Sequence, residues 1–302
     1  MIAISTMWNA SKQADGAAML DELKQLGFEA IELGRNLTHE QLETIRPHRS
    51  EIEICSIHNF CPILPGVRPE KSDSDPIHLS SLDANERQEA VRQTIRTMEF
   101  AAELEIPIVV LHLGAVETYD RSFLMRDLYE YGEREFEAFA KKVGEATSWR
   151  KRKQDKHRDA ALFSLDTLNE KALRMELYLA IENRPDYREI PDFEEVGLFL
   201  ETFEGSNMRY WHDVGHAALQ ERIGLCWSKV WLEAYGAHLI GANLHDLKNL
   251  DEYYPPGFGD LAFQEVVKAL PSEIPLVLEI RHGEAEEVIE ARQQCEGLLN
   301  HY

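Results

Sequence analysis

Thiols are scarce in this sequence. Its four cysteines, Cys55, Cys61, Cys226 and Cys295, are scattered, with no C-x-x-C spacing and no dense framework. That argues against a disulfide scaffold and leaves free thiols in a reducing compartment as the expectation. Cys55 and Cys61 have no activating base beside them in sequence, which argues against a catalytic thiol. Positive charge is also scarce: 32 Lys and Arg stand against 54 Asp and Glu, a formal net charge of −22. Nucleic-acid binding draws most of its affinity from cationic contacts to phosphates, so a nucleic acid is not the expected partner. One basic run, RKRKQDKHR (150–158), interrupts the acidity and reads as a solvated face or an oligomer contact. No apolar run approaches the roughly 20 residues that cross a bilayer. The start, MIAISTMWNASK, lacks the basic and apolar regions of a signal peptide. A soluble, cytoplasmic protein is the expectation. There is no G-x-G-x-x-G after the first apolar run, which argues against a dinucleotide-binding open sheet.

What is present is alternation. Short apolar runs at 1–6, 28–33, 52–58, 106–113, 177–183, 208–214, 239–245 and 276–281 read as strands. Helical patterns occupy 13–26, 84–104, 262–270 and 284–299. Eight strands alternating with helices in about 300 residues predict a single α/β domain spanning 1–302, a (β/α)8 TIM barrel. Residues 60–83 read as a long loop after the third strand. Residues 120–176, too long for one barrel helix, read as a helical hairpin inserted after the fourth strand and breaking near the basic run.

Chemistry in such a barrel gathers at the carboxyl ends of the strands. The third predicted strand ends at His58, the fourth at His112, the fifth at Glu182. The sixth ends at Asp213, with His216 one turn later, the seventh at His245 and the eighth at Glu279. A single histidine at a strand end is more often a hydrogen-bonded residue than a ligand. A carboxylate inside an apolar run such as VLEIR is costly unless paired or metal-bound, and six such endings in succession point to a metal site. Carboxylates and imidazoles without thiolate suit Mn2+ or Zn2+ foremost, with Mg2+, Co2+ and Fe2+ as alternatives.

The motifs IENRP, HDVGH, NLHD with a following P-G-F-G, and LEIR resemble the xylose isomerase-like TIM-barrel superfamily, which holds sugar isomerases and epimerases, inosose dehydratases and apurinic endonucleases. The resemblance implies one divalent ion held by Glu182, Asp213, His245 and Glu279, no organic cofactor, and a sugar-like substrate contacted by His216. It implies that Glu182 and Glu279 move protons through an enediolate. His58 and His112 hold a second ion in the endonuclease branch or line the sugar pocket. That branch also needs a histidine where this chain has Tyr253, which counts against DNA repair. Lys248 and Arg184 are candidates to grip a substrate hydroxyl, carboxylate or phosphate, or are rim charges. His212, on the opposite side of its strand from Asp213, reads as structural. A dehydratase would use the same parts, and a non-catalytic sugar-binding barrel is a further alternative. The 120–176 insertion reads as a lid or a homo-oligomer contact.

Overall fold

A computed structural model describes residues 1–67, 75–132 and 137–299. Eight parallel strands close into a barrel: β1 (Ile2–Ser5), β2 (Ala30–Leu33), β3 (Glu53–His58), β4 (Ile108–Leu111), β5 (Tyr178–Glu182), β6 (Met208–Asp213), β7 (Leu239–Leu244) and β8 (Leu276–Leu278). Sequential strands are neighbours, and β8 returns to β1 in the register Leu276↔Ile2. Each predicted strand is present, trimmed at its ends. The fold is the expected (β/α)8 TIM barrel.

Strand alternation divides the core in two. Residues facing the axis, among them Ala3, Ala30, Val110, Ala180, Trp211 and Val277, form a small central cluster. The alanines leave room for the Trp211 indole, and a Cβ on Gly241 would sit 2.1 Å from that ring. Outward residues pack against the helices in the main core. Cys55 lies in the axial cluster, where burial pushes its thiol up to about 12, so it is an inert packing group.

The first three helices start where short polar side chains cap them. In α1 (Gly16–Gln25) Asp15 accepts from Ala17 N; α2 (His39–Ile45) opens with a Thr38–Gln41 capping box; α3 (Ala84–Glu103) is capped by Asp83. The insertion after β4 contributes three helices, α4 (Ser122–Glu130), α5 (Glu137–Lys151) and α6 (Gln154–Met175), so it is not a simple hairpin, although its break between α5 and α6 falls in the basic run as expected. Residues 133–136 of that insertion, and 68–74 of the expected 60–83 loop, lie outside the described residues. The remaining helices are α7 (Phe193–Thr202), α8 (Val214–Arg222), α9 (Ser228–Tyr235), α10 (Phe263–Lys268) and α11 (Ala285–Leu299).

The basic run is not one solvated face. Lys151, Arg152, Lys153 and Lys156 are exposed, but Arg150 and His157 are buried pins. Arg150 donates to Asp192 and Glu195 at 2.6 Å each and to Glu189 O at 2.9 Å, tying α5 to the start of α7. His157 bonds Ser80 O through Nδ1 at 2.9 Å and accepts from Glu117 N at 3.2 Å. Among the described residues, no helix is long and apolar enough to cross a membrane.

Candidate active site

The carboxyl ends of the strands converge as a barrel requires. His58, Glu182 and Asp213 close β3, β5 and β6, while His112, His245 and Glu279 follow directly on β4, β7 and β8. All six, with His216 and Arg184, are buried. Two antiparallel ribbons rise over the mouth: Gly114–Ala115 against Glu189–Ile190, and Asp246–Lys248 against Asp251–Tyr254.

Among the described residues, possible ligand atoms lie within 4.8 Å of one another in each of three groups: Glu182 with Asp213 and Glu279; Asp213 with His216 and His245; and His58 with His112 and Glu182. The four residues expected around one ion are therefore adjacent. His245 joins the carboxylates through Asp213, whose Oδ1 faces its Nε2 at 3.0 Å. His216, expected only as a substrate contact, shares that second group, and its backbone N–H donates to Asp213 Oδ1 at 2.7 Å. Asp213 is thus also the N-cap of α8. Among the described residues its buried Oδ2 has no hydrogen-bond partner, only the His216 ring with Nδ1 at 3.5 Å. A bare carboxylate oxygen in a buried site is costly, so the donor set fits a hard or borderline divalent cation.

Glycine makes this approach possible. A Cβ on Gly215, in the first turn of α8, would lie 1.9 Å from His245 Cε1 and 2.3 Å from Nδ1. The NLHD and P-G-F-G motifs are joined by Asp246, whose carboxylate accepts from Leu247 N at 2.8 Å and from Gly257, Gly259 and Leu261 N at 3.1 Å each. This carboxylate holds the ribbon over the mouth.

Charge is unevenly placed between the two glutamates. Burial favours the neutral acid at Glu182, but the Arg184 guanidinium at 2.5 Å, a hydrogen bond from His112 (2.8 Å) and the His58 imidazole 3.8 Å away outweigh it, holding the carboxyl well below its ordinary range. Among the described residues Glu279 has no guanidinium or imidazole bonded to it, only the Asn243 amide. Burial, with Glu182 and Asp213 nearby, pushes it up to about 8. Burial also opposes ionisation of Asp213, but His216 and His245 lower it. His216 is pushed down to about 3, chiefly by burial. At His245 burial favours the neutral ring, but the Asp213 carboxylate outweighs it and raises the imidazole to about 9, while the amide N–H of Tyr253, 3.1 Å from Nδ1, opposes a proton on that nitrogen.

Of the two candidate substrate grips, Arg184 is inside the site, donating to Glu182 and Glu189 and lying against the His112 ring. Lys248 is exposed on the ribbon, its ammonium 4.2 Å from the centroid of Tyr254. His212 faces away from the cluster, with Nδ1 2.8 Å from Tyr210 OH.

Several residues at the site escaped the sequence reading. Asn243, inside β7, donates to Glu182 Oε1 at 3.1 Å and Glu279 Oε2 at 2.8 Å, linking the two glutamates. Its signal was an amide in an apolar run, two residues before His245 and hence on the same face. Glu32, in AIEL, had the same signal as Glu279 and lies buried, accepting from Ser56 at 2.9 Å. Arg35 and Asp75 hold His112 Nδ1 at 2.6 and 3.1 Å; they come from loops and had no pattern. Glu252 lies 3.6 Å from His216 Nε2. Tyr253, noted in the sequence only as standing in place of a histidine, sits at φ +68 and stacks on His245 with centroids 4.6 Å apart.

A profile of the xylose isomerase-like TIM barrel matches residues 20–298. The chain belongs to that family. A search among curated protein sequences gives no match. Solved structures share the whole barrel of this xylose isomerase-like chain. A putative xylose isomerase from Rhodospirillum rubrum is 14% identical, with 99% of this chain and 98% of that one covered at a TM-score of 0.70. The IOLI protein with a binding zinc atom is 13% identical over 100% and 98%, at 0.67. D-psicose 3-epimerase with D-tagatose from Clostridium cellulolyticum is 13% identical over 99% and 99%, at 0.65. At these identities the likeness establishes the fold alone.

Proposed function

We infer that the protein is a divalent-metal-dependent isomerase or epimerase of a sugar or a related polyol or keto compound. The observation that carries this reading is the buried triad Glu182, Asp213 and Glu279, with one oxygen of each within 4.8 Å of the others. Three carboxylates this close, with an unpartnered oxygen on Asp213, call for a cation. Glu182, Asp213, His245 and Glu279 would hold it, and Mn2+ or Zn2+ suits that donor set. When bound, such an ion stabilises negative charge developing on oxygens beside an acidified C–H. The zinc atom bound by the IOLI protein supports a divalent metal in a barrel of this kind.

The chain supplies the rest. Glu182 and Glu279, linked through the Asn243 amide, are the pair that removes and returns a proton next to a carbonyl. Return to the same carbon from the opposite face epimerises, and return to the neighbouring carbon isomerises. Arg184 and His112 hold Glu182 in one orientation. His216, neutral and anchored through Nδ1 to Asn183 O at 3.0 Å, offers Nε2 to a substrate oxygen. The wall formed by Tyr253 keeps water from one side of His245.

The group His58, His112 and Glu182 favours a second reading, a two-ion hydrolase of the endonuclease type. The net charge of −22 and Tyr253 in place of a histidine oppose it. Metal content per chain by mass spectrometry, on protein purified without chelator and beside Glu279→Ala, separates the two. One ion, lost in the variant, together with solvent deuterium washed into a ketose in D2O, supports the isomerase or epimerase. Two ions without deuterium exchange support the hydrolase. No ion after incubation with Mn2+, Co2+ and Zn2+ refutes both.

A further inference from the structure

The axial face of the barrel is layered. Ala3, Ala30, Val110, Ala180, Trp211 and Val277 form its apolar floor. Two residues further along each of these strands the same face points to the axis again. The residues there are Ser5, Glu32, His112, Glu182, Asp213 and Glu279. Glu32 therefore belongs to the layer that carries the candidate ion site, although none of the three groups of possible ligands among the described residues includes it. Its strand, β2, is four places from β6 in either direction round the barrel. Glu32 thus stands on the wall opposite Asp213.

The carboxyl of Glu32 is as buried as that of Glu182, with both residues at 0% exposure. Its Oε2 accepts from Ser56 Oγ at 2.9 Å, and the Ser5 hydroxyl also stands beside the carboxyl. Oε1 has no hydrogen-bond partner among the described residues. A buried polar atom in that condition is costly. Without a proton Oε1 lacks a donor, and with one it lacks an acceptor. A hydroxyl serves in both cases, because it donates and accepts. The need for it is the same whichever state the carboxyl is in.

Water can fill that place in the free protein. A sugar hydroxyl that displaces it reproduces its bond, and a C–H in the same position does not. We propose that Glu32 is a specificity-determining residue of the barrel mouth, its Oε1 holding a substrate hydroxyl on the side turned away from the ion, so that the site takes a polyhydroxylated ketose and rejects the counterpart that is deoxy at that carbon. This rests on the isomerase or epimerase reading and adds the substrate feature that the far wall recognises. A deoxy analogue would drive out the water and leave Oε1 bare, which is how a site built around one hydroxyl discriminates.

The test uses the full chain loaded with Mn2+ and takes affinity from the rise in unfolding temperature with sugar concentration. The probes are D-tagatose, D-psicose and L-ribulose, followed by the monodeoxy analogues of whichever binds most tightly. In the wild type one analogue should bind at least about tenfold more weakly than its parent, the equivalent of one hydrogen bond. Glu32→Met, similar in size but without the oxygens, should weaken the parent sugar by a comparable factor and abolish the preference over that analogue. Glu32→Gln, which keeps an acceptor and a donor, should retain the preference. Both variants should still bind Mn2+. Equal affinity for the parent and every analogue in the wild type, or an undiminished preference in Glu32→Met, would overturn the proposal and leave the ion site standing. Loss of Mn2+ binding by more than about tenfold in a folded Glu32→Met would overturn it too, by making Glu32 part of the ion site. Wild-type protein that binds no Mn2+, or binds Mn2+ and none of the ketoses, would refute the underlying reading and this proposal with it.

Discussion

Gly215→Ala is the smallest change that should dismantle the candidate centre. The added Cβ would stand 1.9, 2.3 and 2.4 Å from His245 Cε1, Nδ1 and Nε2. Carbon contacts settle near 3.4 Å or more, so ring and helix must separate by about 1.5 Å. Neither is free to move. His245 is held by Asp213 at 3.0 Å, by Tyr253 N at 3.1 Å and by the stacked Tyr253 ring. Gly215 lies in a helix whose cap is Asp213 itself, so backing the helix away drags a second candidate ligand. Overpacking of this kind costs about 1–3 kcal/mol of stability, and a 1 Å misplacement near the chemistry costs about 10²-fold in rate. The expected result is a folded protein with a lower urea midpoint and at least about tenfold weaker metal binding. Isotherms of Mn2+ or Zn2+ binding, beside denaturation curves, measure both. Gly144→Ala, with nothing within 4 Å of its added Cβ, is the control and should stabilise α5 by up to about 1 kcal/mol. Native metal affinity in Gly215→Ala would show that His245 is not a ligand, and the proposed tetrad would fall.

Further outcomes follow from the same geometry. Glu279 is held up to about 8, so an ion must displace its proton; affinity should rise with pH, by about 25-fold between pH 6 and 7.5 from this group alone. A pH-independent isotherm would refute the assignment of Glu279 as a ligand. The raised carboxyl also stabilises the metal-free protein at acid pH, and that contribution is lost as pH rises through about 8, so added metal should raise the unfolding temperature more at pH 8 than at pH 6. Glu182→Gln and Glu279→Gln should each lower turnover by roughly 10²–10⁴-fold with the fold intact; near-full activity in either variant would remove it from proton transfer. Arg150→Met should cost about 3–5 kcal/mol in urea unfolding, because it leaves Glu195 buried without its partner. A cost near zero would mean that α5 is not pinned through this pair.

The barrel was legible because each strand is a short apolar run and the chain repeats the strand–helix unit eight times. The strand-end residues were legible for the same reason: a polar residue that closes an apolar run stands out, and the fold sends all such residues to one rim. Helices α2, α7, α8 and α9 gave no usable pattern. They are short, and their starts depend on caps such as Asp192 and Asp213, which in sequence look like any loop aspartate. The 150–158 run misled because charge alone does not reveal burial. Arg150 reads as solvated until Glu195 and Asp192, over forty positions later, are folded against it.

The residues that escaped share one property: each acts sideways, between strands, and not along its own. Asn243 has meaning only once β5 and β8 place Glu182 and Glu279 on either side of it, and Arg35 and Asp75 only once His112 stands between them. These lateral contacts decide how two chemically identical glutamates differ. Glu182 is charged because a guanidinium and two imidazoles surround it, while Glu279, buried with an amide donor beside it and with Glu182 and Asp213 nearby, favours its proton. A sequence that shows both as a glutamate at the end of a strand cannot display that difference. Yet an acid and a base on opposite sides of one carbon is what epimerisation demands, so the supporting shell around the two carboxyls, more than the carboxyls themselves, is where the reaction would be set.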